Sequence, residues 1–331
     1  MDILNIVIIR ITFVGMIQYY SHTQGRLTEL AQRQAGCWIN VAPPFEQDEL
    51  ENLAQEFEMP IDFLLDPLDI DERSRYEREE DVRLIVLNTP ALNEQNIDGN
   101  ESTYVTVPVG IILTDEHVIT ITSRENDVLQ LLKEGKVRNF NPEDEANFVL
   151  KFFEQTVFRF LTCLKKLNLK RNLIEQELYD SSKNRELMQL LSIEKSLVYF
   201  INALNGNELL KMKMKRTDFL RIRQDEDLSD LFEDIIIDNG QALEMANIYT
   251  NILNGTMDAY GSIISNNLNI TIQRLTLITI ILTVPMVIAS FYGMNVPLPY
   301  QQKQFTIGII FLVSIVLSLG VIWYFRRKRM F

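Results

Sequence analysis

One uncharged apolar run near the C-terminus constrains this chain more than any other feature. Residues 305–325, which read FTIGIIFLVSIVLSLGVIWYF, contain no charged side chain over 21 positions. As an α-helix this run would be about 31 Å long, which matches the hydrocarbon core of a bilayer. It ends in Trp323 and Tyr324, residue types typical of the membrane interface, and the basic tail RRKR follows at 326–329. The run therefore predicts a membrane-spanning helix.

A second apolar run precedes the first and predicts a second span. Residues 275–291 are 17 uncharged residues, and Arg274 stands immediately before them. Basic residues clustered beside a span favour the cytoplasmic side. Residues 296–304 would then form a short external turn, and we expect a multi-pass protein of the cytoplasmic (inner) membrane with both termini in the cytoplasm.

Charge is distributed very unevenly along the chain. The net charge is −13, but the first 264 residues hold all 45 acidic residues and 26 of the 32 basic ones, a net charge of −19. Such an acidic part repels nucleic acid and attracts cations, so we expect cations and no nucleic acid as its partners. The two apolar runs predict the lipid bilayer as a further partner. The sequence contains no phosphate-binding loop, no cluster of histidines and no nucleophile motif. We therefore expect neither an enzyme nor an organic cofactor.

Periodicity divides the rest of the chain into an α/β part and a helical part. Residues 103–113 and 117–122 are rich in Val, Ile and Thr and predict a β-hairpin. From Leu228 no proline occurs before Pro285, so one helix continuing to Tyr292 would be about 97 Å long. The expected fold class is an α+β membrane protein in which a long stalk helix continues into the first span. The expected regions are a leader or N-terminal strand at 1–20, a cytoplasmic α/β domain at 21–142, a cytoplasmic helical region at 143–227, the stalk and first span at 228–292, an external loop at 293–304, the second span at 305–325 and a basic cytoplasmic tail at 326–331.

The two predicted spans differ in their polar residues. Asn269, Thr276, Thr283 and Ser290 recur every seven residues in and just before the first span, and Thr279 lies on the same stripe. A seven-residue repeat places these side chains on one seam of a helix. They would then line a water-filled pore, because polar groups inside a membrane need partners or water. The alternative is local, since Thr and Ser hydroxyls also donate to the carbonyls of their own helix.

The end of the first span carries the motif Tyr292-Gly293-Met294-Asn295. With its position before a short loop, a final span and a basic tail, this motif resembles the CorA family of divalent-cation channels. The segments WIN at 38–40 and LLDPLDIDER at 64–73 add to the resemblance, which covers most of the chain.

The resemblance implies a funnel-shaped homopentamer in which the first span of each protomer lines a central pore. The selectivity filter would be formed by Tyr292, Gly293, Met294 and Asn295, whose neutral amide can accept hydrogen bonds from the water shell of Mg²⁺. The implied pore and gate residues are Asn269 at the cytoplasmic end, Ile272 and Leu275 (or Thr276) at an apolar constriction, and Thr279, Thr283 and Ser290 in the lumen.

The resemblance also implies regulation by the transported ion. Asp66 and Asp234 match an acidic pair that binds regulatory Mg²⁺ between neighbouring protomers, so that low Mg²⁺ opens the pore. Leu65 stands where some relatives have a second acidic residue, and Asp238, on the same helical face as Asp234, would substitute for it. The external loop VPLPYQQKQ carries no acidic residue, so it offers no carboxylate to capture cations.

The expected function is channel-like uptake of hydrated Mg²⁺, with Co²⁺ or Ni²⁺ as surrogates, under negative feedback from cytosolic Mg²⁺. One alternative is a transporter of zinc or another divalent cation with the same architecture, although the intact Gly-Met-Asn triplet favours Mg²⁺. The other alternative is a membrane-anchored cation sensor or scaffold that transports nothing and does not need Asn295.

Overall fold

The computed structural model describes residues 17–23, 26–94, 96, 101–180, 184–294 and 305–327. They form two compact units that divide after Gly255. Most of the predicted leader or N-terminal strand at 1–20 and nearly all of the predicted external loop at 293–304 lie outside the described residues.

The first unit contains a seven-stranded sheet in the order β2-β1-β3-β7-β6-β5-β4. Its strands are β1 Ile17–Thr23, β2 Arg26–Leu30, β3 Trp38–Val41, β4 Arg75–Glu79, β5 Val82–Leu92, β6 Tyr104–Leu113 and β7 Val118–Thr122. All neighbouring strands are antiparallel except β3 and β7, which pair in parallel from Trp38 with Val118 to Val41 with Ile121. The predicted hairpin is confirmed as β6 and β7.

Both faces of this sheet are covered, because successive side chains of a strand point to opposite sides. Along β5, Ile85 and Leu87 belong to one core, whereas Leu84 and Val86 belong to the other. On the second face lie α1 Gln47–Glu56, α2 Asp62–Leu65 and a 3₁₀ turn at Asp66–Leu68. On the first face lie α3 Asp127–Lys133, α4 Glu145–Asp180, α5 Asn184–Thr217 and the beginning of α6 Glu226–Tyr292.

The helical part of the first unit is held by aromatic packing and by polar contacts between helices. The rings of Phe160 on α4 and Phe200 on α5 meet edge to face at 5.1 Å between centroids, and both are fully buried. Phe232 and Ile235 bring the first turns of α6 into the same core as the sheet. The beginning of the stalk helix is therefore part of the folded unit.

The second unit consists of the end of α6 and of α7 Thr306–Arg327. The prediction of one long helix ending at Tyr292 is confirmed, since α6 is continuous over 67 residues despite Pro285. Glu226–Tyr292 and Ile307–Arg327 are long and apolar enough to cross a membrane, and only 6% of the most apolar window of each is buried in the single chain. Lipid or other protein must cover these helices.

Candidate functional site

The polar stripe of α6 lies on the side of the helix that α7 leaves uncovered. Along the apolar run 275–291 of α6, the side chains covered most apart from Pro285 are Leu277, Ile281, Val284 and Ile288, which recur at i, i+4, i+7 and i+11. At 100° per residue these four share one face, and the polar stripe lies about 90–170° around the helix from the centre of that face. All seven predicted pore and gate residues, Asn269, Ile272, Leu275, Thr276, Thr279, Thr283 and Ser290, are exposed in the single chain.

The threonine hydroxyls of the stripe donate to their own helix. Thr276 Oγ1 lies 2.9 Å from the Ile272 carbonyl, Thr279 Oγ1 lies 2.9 Å from the Leu275 carbonyl, and Thr283 Oγ1 lies 2.7 Å from the Thr279 carbonyl. The local alternative raised by the sequence is therefore realised. It does not use up the hydroxyl, because a hydroxyl that donates its proton to the backbone keeps oxygen lone pairs that accept from water. The stripe therefore presents acceptors on its open face.

The face of α6 that includes Ile281 is covered by α7, and Pro285 helps to explain this contact. Proline has no N–H, so Pro285 cannot donate to the carbonyl of Ile281 four residues earlier. The hydroxyl of Ser318 on α7 donates to that carbonyl at 3.4 Å. Ser314, one turn before Ser318, is 5% exposed, so small residues lie at this helix contact. A neighbouring helix thus supplies the donor that the proline removes.

The predicted filter begins where α6 ends. The amide of Gly293 donates to the Ala289 carbonyl at 3.0 Å, and the amide of Met294 donates to the Phe291 carbonyl at 3.3 Å. These bonds continue the helix beyond Tyr292 by one tight turn, and the Met294 side chain is 50% exposed. Asn295, the residue on which the filter prediction depends, lies outside the described residues.

Asp66 is positioned by the sheet beneath it. It opens the 3₁₀ turn, and the next residue, Pro67, packs against Gly110 of β6. A Cβ built on Gly110 would lie 2.9 Å from Pro67 Cβ and closer still to Pro67 Cγ. Only glycine leaves room for the proline ring at this position, so Gly110 determines how closely Asp66 approaches the sheet.

A guanidinium that the sequence analysis missed neutralises Asp66. Arg75 Nη2 donates to Asp66 Oδ2 at 2.6 Å, Arg75 Nε donates to Glu77 Oε1 at 2.7 Å, and Arg75 Nη1 pairs with Glu72. Burial lowers the pKa of Arg75, but the hydrogen bonds that Arg75 donates to Glu77 and Asp66, together with the nearby negative charges of Glu72 and Glu77, outweigh burial and raise the pKa above its ordinary value. Three carboxylates share one cation. The closeness of these acids to an arginine in the text DERSRYERE was the available signal.

Asp234 and Asp238 lie one turn apart on α6 and both are exposed. Among the described residues, neither forms an ion pair within 4.0 Å, and neither shares a hydrogen-bond partner with Asp66. The part of the chain that the structure describes also contains no group of three or more His, Cys, Asp or Glu side chains arranged to hold a metal. A metal site built from these acids would therefore need ligands from more than one protomer.

Comparison with known proteins agrees with this arrangement of elements. Residues 33–327 match the family described as CorA-like Mg²⁺ transporter protein. The chain is 26% identical over 325 residues to the cobalt/magnesium transport protein CorA of Methanocaldococcus jannaschii, covering 96% of this chain and 99% of that protein. It is 22% identical over 296 residues to the CorA protein of Thermotoga maritima, covering 88% of this chain and 82% of that protein.

The fold agrees as well. The complete structure of the CorA magnesium transporter from M. jannaschii superposes with a TM-score of 0.78 at 23% identity, covering 95% of this chain and 98% of that one. The agreement extends over the sheet, the long helix and the two apolar helices, and the family match alone covers most of the sequence. The chain belongs to the CorA family of Mg²⁺ transporters.

Proposed function

We propose that this protein is a homopentameric channel for uptake of hydrated Mg²⁺ across the cytoplasmic membrane, with Co²⁺ and Ni²⁺ as surrogates. The observation that carries the proposal is the uncovered polar stripe of α6, away from the face that α7 occupies and leading to Gly293-Met294. One chain supplies one such helix, so a closed pore needs a ring of copies around an axis. The names of the two relatives, cobalt/magnesium transport proteins, support the choice of ions.

In this pore the threonines act through their oxygen lone pairs. The hydroxyls of Thr276, Thr279 and Thr283 donate their hydrogens to backbone carbonyls, so only their oxygen lone pairs, which accept hydrogen bonds, remain available toward the lumen. The outward-facing hydrogens of a hydrated cation need acceptors of this kind. Ile272 and Leu275, 52% and 64% exposed in the single chain, would form an apolar ring that closes by excluding water.

Selection takes place at the outer mouth in this proposal. Mg²⁺ gives up its water reluctantly, and a ring of carboxylates would hold any cation tightly. A ring of Asn295 amides instead accepts hydrogen bonds from the water shell and reads the hydrated ion by its size. Gly293, whose backbone continues the last turn of α6, lets the chain bend close to the axis, with Tyr292 and Met294 beside it.

Regulation follows from charge in the first unit. Asp66 of one protomer and Asp234 of its neighbour, with Asp238 one turn away, would share a regulatory Mg²⁺ that holds the pore closed. When Mg²⁺ is scarce, repulsion between acidic units would release the closed state. Arg75, which pairs with Asp66 at 2.6 Å, would reduce that repulsion and lower the affinity of Asp66 for the ion.

Orientation and driving force complete the proposal. The RRKR tail and Arg274 favour an orientation with both termini and the acidic unit in the cytoplasm. Uptake then runs down the membrane potential, which contributes about 2.3 kcal/mol per charge per 100 mV, or about twice that for a divalent cation. No separate energy source is required.

The test is flux into liposomes that contain the purified full-length protein. We expect Asn295→Ala to abolish Mg²⁺ uptake while the cross-linked oligomer remains, because the ring of amide acceptors is lost. Gln304→Ala, in the same external loop, serves as the matched control and should retain uptake. Uptake by Asn295→Ala at the wild-type rate would refute the filter, whereas faster Zn²⁺ than Mg²⁺ flux through the wild type would point to the zinc alternative.

A further inference from the structure

Lys211 is the one fully buried basic residue in the described part of the chain, and the proposed transport mechanism does not use its side chain. Lys211 lies on α5 and is 0% exposed. Its Nζ donates to Oδ1 of Asn239 on α6 at 2.7 Å and lies 5.5 Å from the centroid of the Phe153 ring on α4. One side chain therefore joins three helices of the first unit.

The partner of Lys211 is an amide and not a carboxylate. Asn239 is also 0% exposed, and its Nδ2 donates to the Leu204 carbonyl at 3.0 Å, which fixes the orientation of the amide. Among the described residues, no carboxylate lies within 4.0 Å of Lys211 Nζ. A buried ammonium with one amide acceptor and an aromatic face is poorly compensated, because removal from water penalises the charged form.

The charged groups on the surrounding elements do not supply a counter-ion. Glu208, one turn earlier on α5, acts on Lys211 through space, and its Oε1 is directed to Gly240 of α6. Three nearby acids are already paired: Glu233 on α6 binds Lys215 at 2.9 Å, Glu154 on α4 binds Lys151 at 3.1 Å, and Glu145 binds Arg83 of β5. Asp234 and Asp238 on α6 are exposed to solvent, and neither forms an ion pair with Lys211.

We infer that Lys211 is a proton switch that makes the packing of α5 on the stalk helix α6 depend on the pH of the surrounding compartment. The neutral amine keeps the hydrogen bond to Asn239 and fits the apolar surroundings, so α5 and α6 pack tightly. The ammonium form needs water or a carboxylate, so protonation loosens the same contact. The element with two states is the hydrogen bond between Lys211 and Asn239, which holds α6 against α5 at the residue after Asp238.

The pH range of the switch is set by the pKa of Lys211 in the closed and opened states. Burial lowers the pKa of Lys211 to about 7, against a partial opposing effect of Glu208. The unfolded or opened state has the ordinary lysine pKa of about 10.4. The opened state therefore binds more protons between about pH 7 and pH 10, and the closed packing gains stability as the pH rises through that range. Below pH 7 both states are protonated and the gain is absent.

Hydrogen exchange of the full-length protein in detergent micelles tests this switch. After correction for the intrinsic exchange rate, we expect protection of peptides covering 204–214 and 232–246 to rise about 50-fold between pH 7 and pH 9 in the wild type. Lys211→Met should remove that rise, and Lys213→Met, an exposed lysine on the same helix, should keep it. An unchanged rise in Lys211→Met would overturn the proposal.

A second variant keeps the test valid if Lys211→Met fails to fold. Asn239→Asp preserves the size of the side chain and places a carboxylate beside Lys211 Nζ. The ammonium form is then paired, so the pH-dependent rise should move above pH 9. A rise that stays between pH 7 and pH 9 in this variant would contradict a role for Lys211.

The switch also bears on regulation, and this extension rests on the proposed function. Because Asn239 follows Asp238, loosening of the Lys211–Asn239 contact at low pH should weaken Mg²⁺ binding at Asp238. The Mg²⁺ concentration needed for half-maximal protection from protease should therefore rise several-fold from pH 8 to pH 6. Lys211→Met should lose that shift. If Mg²⁺ protected at no pH, the proposed feedback would fail while the exchange result would still stand. If Mg²⁺ protected equally at both pH values in the wild type, the extension would be wrong.

Discussion

Individual residues in this protein act by leaving room or by supplying a missing partner. Gly110 is an example of the first kind. Its position in the middle of β6, opposite Val86 and Ile121, would suit any β-branched residue by propensity. Glycine is present because the rigid ring of Pro67 occupies the space of a side chain. The same contact holds the turn that carries Asp66.

Gly110→Ala should therefore destabilise the protein although alanine is a small residue. The added methyl group would collide with Pro67 and press on Ile121 Cγ2 at 3.0 Å, and neither group is the end of a flexible side chain. Overpacking of this kind costs about 1–3 kcal/mol. Thermal unfolding in detergent would measure the loss. Gly240→Ala is the control, since its added Cβ would make an ordinary 3.7 Å contact with Glu208 inside a helix, and helical Gly→Ala gains up to about 1 kcal/mol.

At the scale of elements, the contact between α6 and α7 depends on a helix that contains a proline and does not break. Pro285 deprives the Ile281 carbonyl of its partner, and the hydroxyl of Ser318 replaces the missing donor at 3.4 Å. In a bilayer an unpaired carbonyl is costly, so this bond helps to select which face of α6 receives α7. The polar stripe is left uncovered.

Ser318→Ala should weaken the helix pair, and the effect should depend on Pro285. Hydrogen bonds between membrane helices contribute about 0.6 kcal/mol on average and up to about 1.7 kcal/mol. In a Pro285→Ala background the alanine N–H can bond to the Ile281 carbonyl, so the same Ser318→Ala change should cost less. A double-mutant cycle of unfolding free energies in detergent measures the coupling. Equal costs in both backgrounds would show that Ser318 does not compensate for the proline.

The helices and strands that could be predicted from sequence are those whose own residues form a clear local pattern. The β6–β7 hairpin followed from two segments rich in Val, Ile and Thr, and the unbroken α6 followed from the absence of proline between Leu228 and Pro285. The edge strand β4, which reads RYERE, was not predicted, because it has few apolar residues and pairs with β5 on one side only. The pairing of β1 with β2 was not predicted, because β1 begins inside the apolar run at 1–20, which was interpreted as a leader or an N-terminal strand, and no hairpin partner was assigned to it.

At the scale of the whole molecule, the dominant feature is the separation of charge. The acidic residues lie in the first 264 positions and the C-terminal part is apolar and basic. Copies of such a chain repel one another through their acidic units unless cations intervene. In the proposed pentamer this repulsion is the force that opens the pore, and bound Mg²⁺ opposes it.

Asp234→Ala should weaken the protection that millimolar Mg²⁺ gives the oligomer against protease, because one ligand of the shared ion is lost from each interface. We expect half-maximal protection to require roughly tenfold more Mg²⁺, which corresponds to about 1.4 kcal/mol. Glu244→Ala removes an exposed acid elsewhere on α6 and controls for the change in net charge. Protection of Asp234→Ala at the wild-type Mg²⁺ concentration would exclude this residue from the regulatory site.

The sequence alone determined the class of this protein. Two uncharged runs, the basic residues beside them and the Tyr292–Asn295 motif are local features, and their meaning depends on length, composition and order along the chain. The tertiary structure decided the rest: that Arg75 neutralises Asp66, that Lys211 is buried against Asn239, and that α7 leaves the polar face of α6 open. These facts join residues whose positions relative to one another are set by packing. Periodicity tells which face of a helix is apolar or polar, but only packing decides which neighbour covers it.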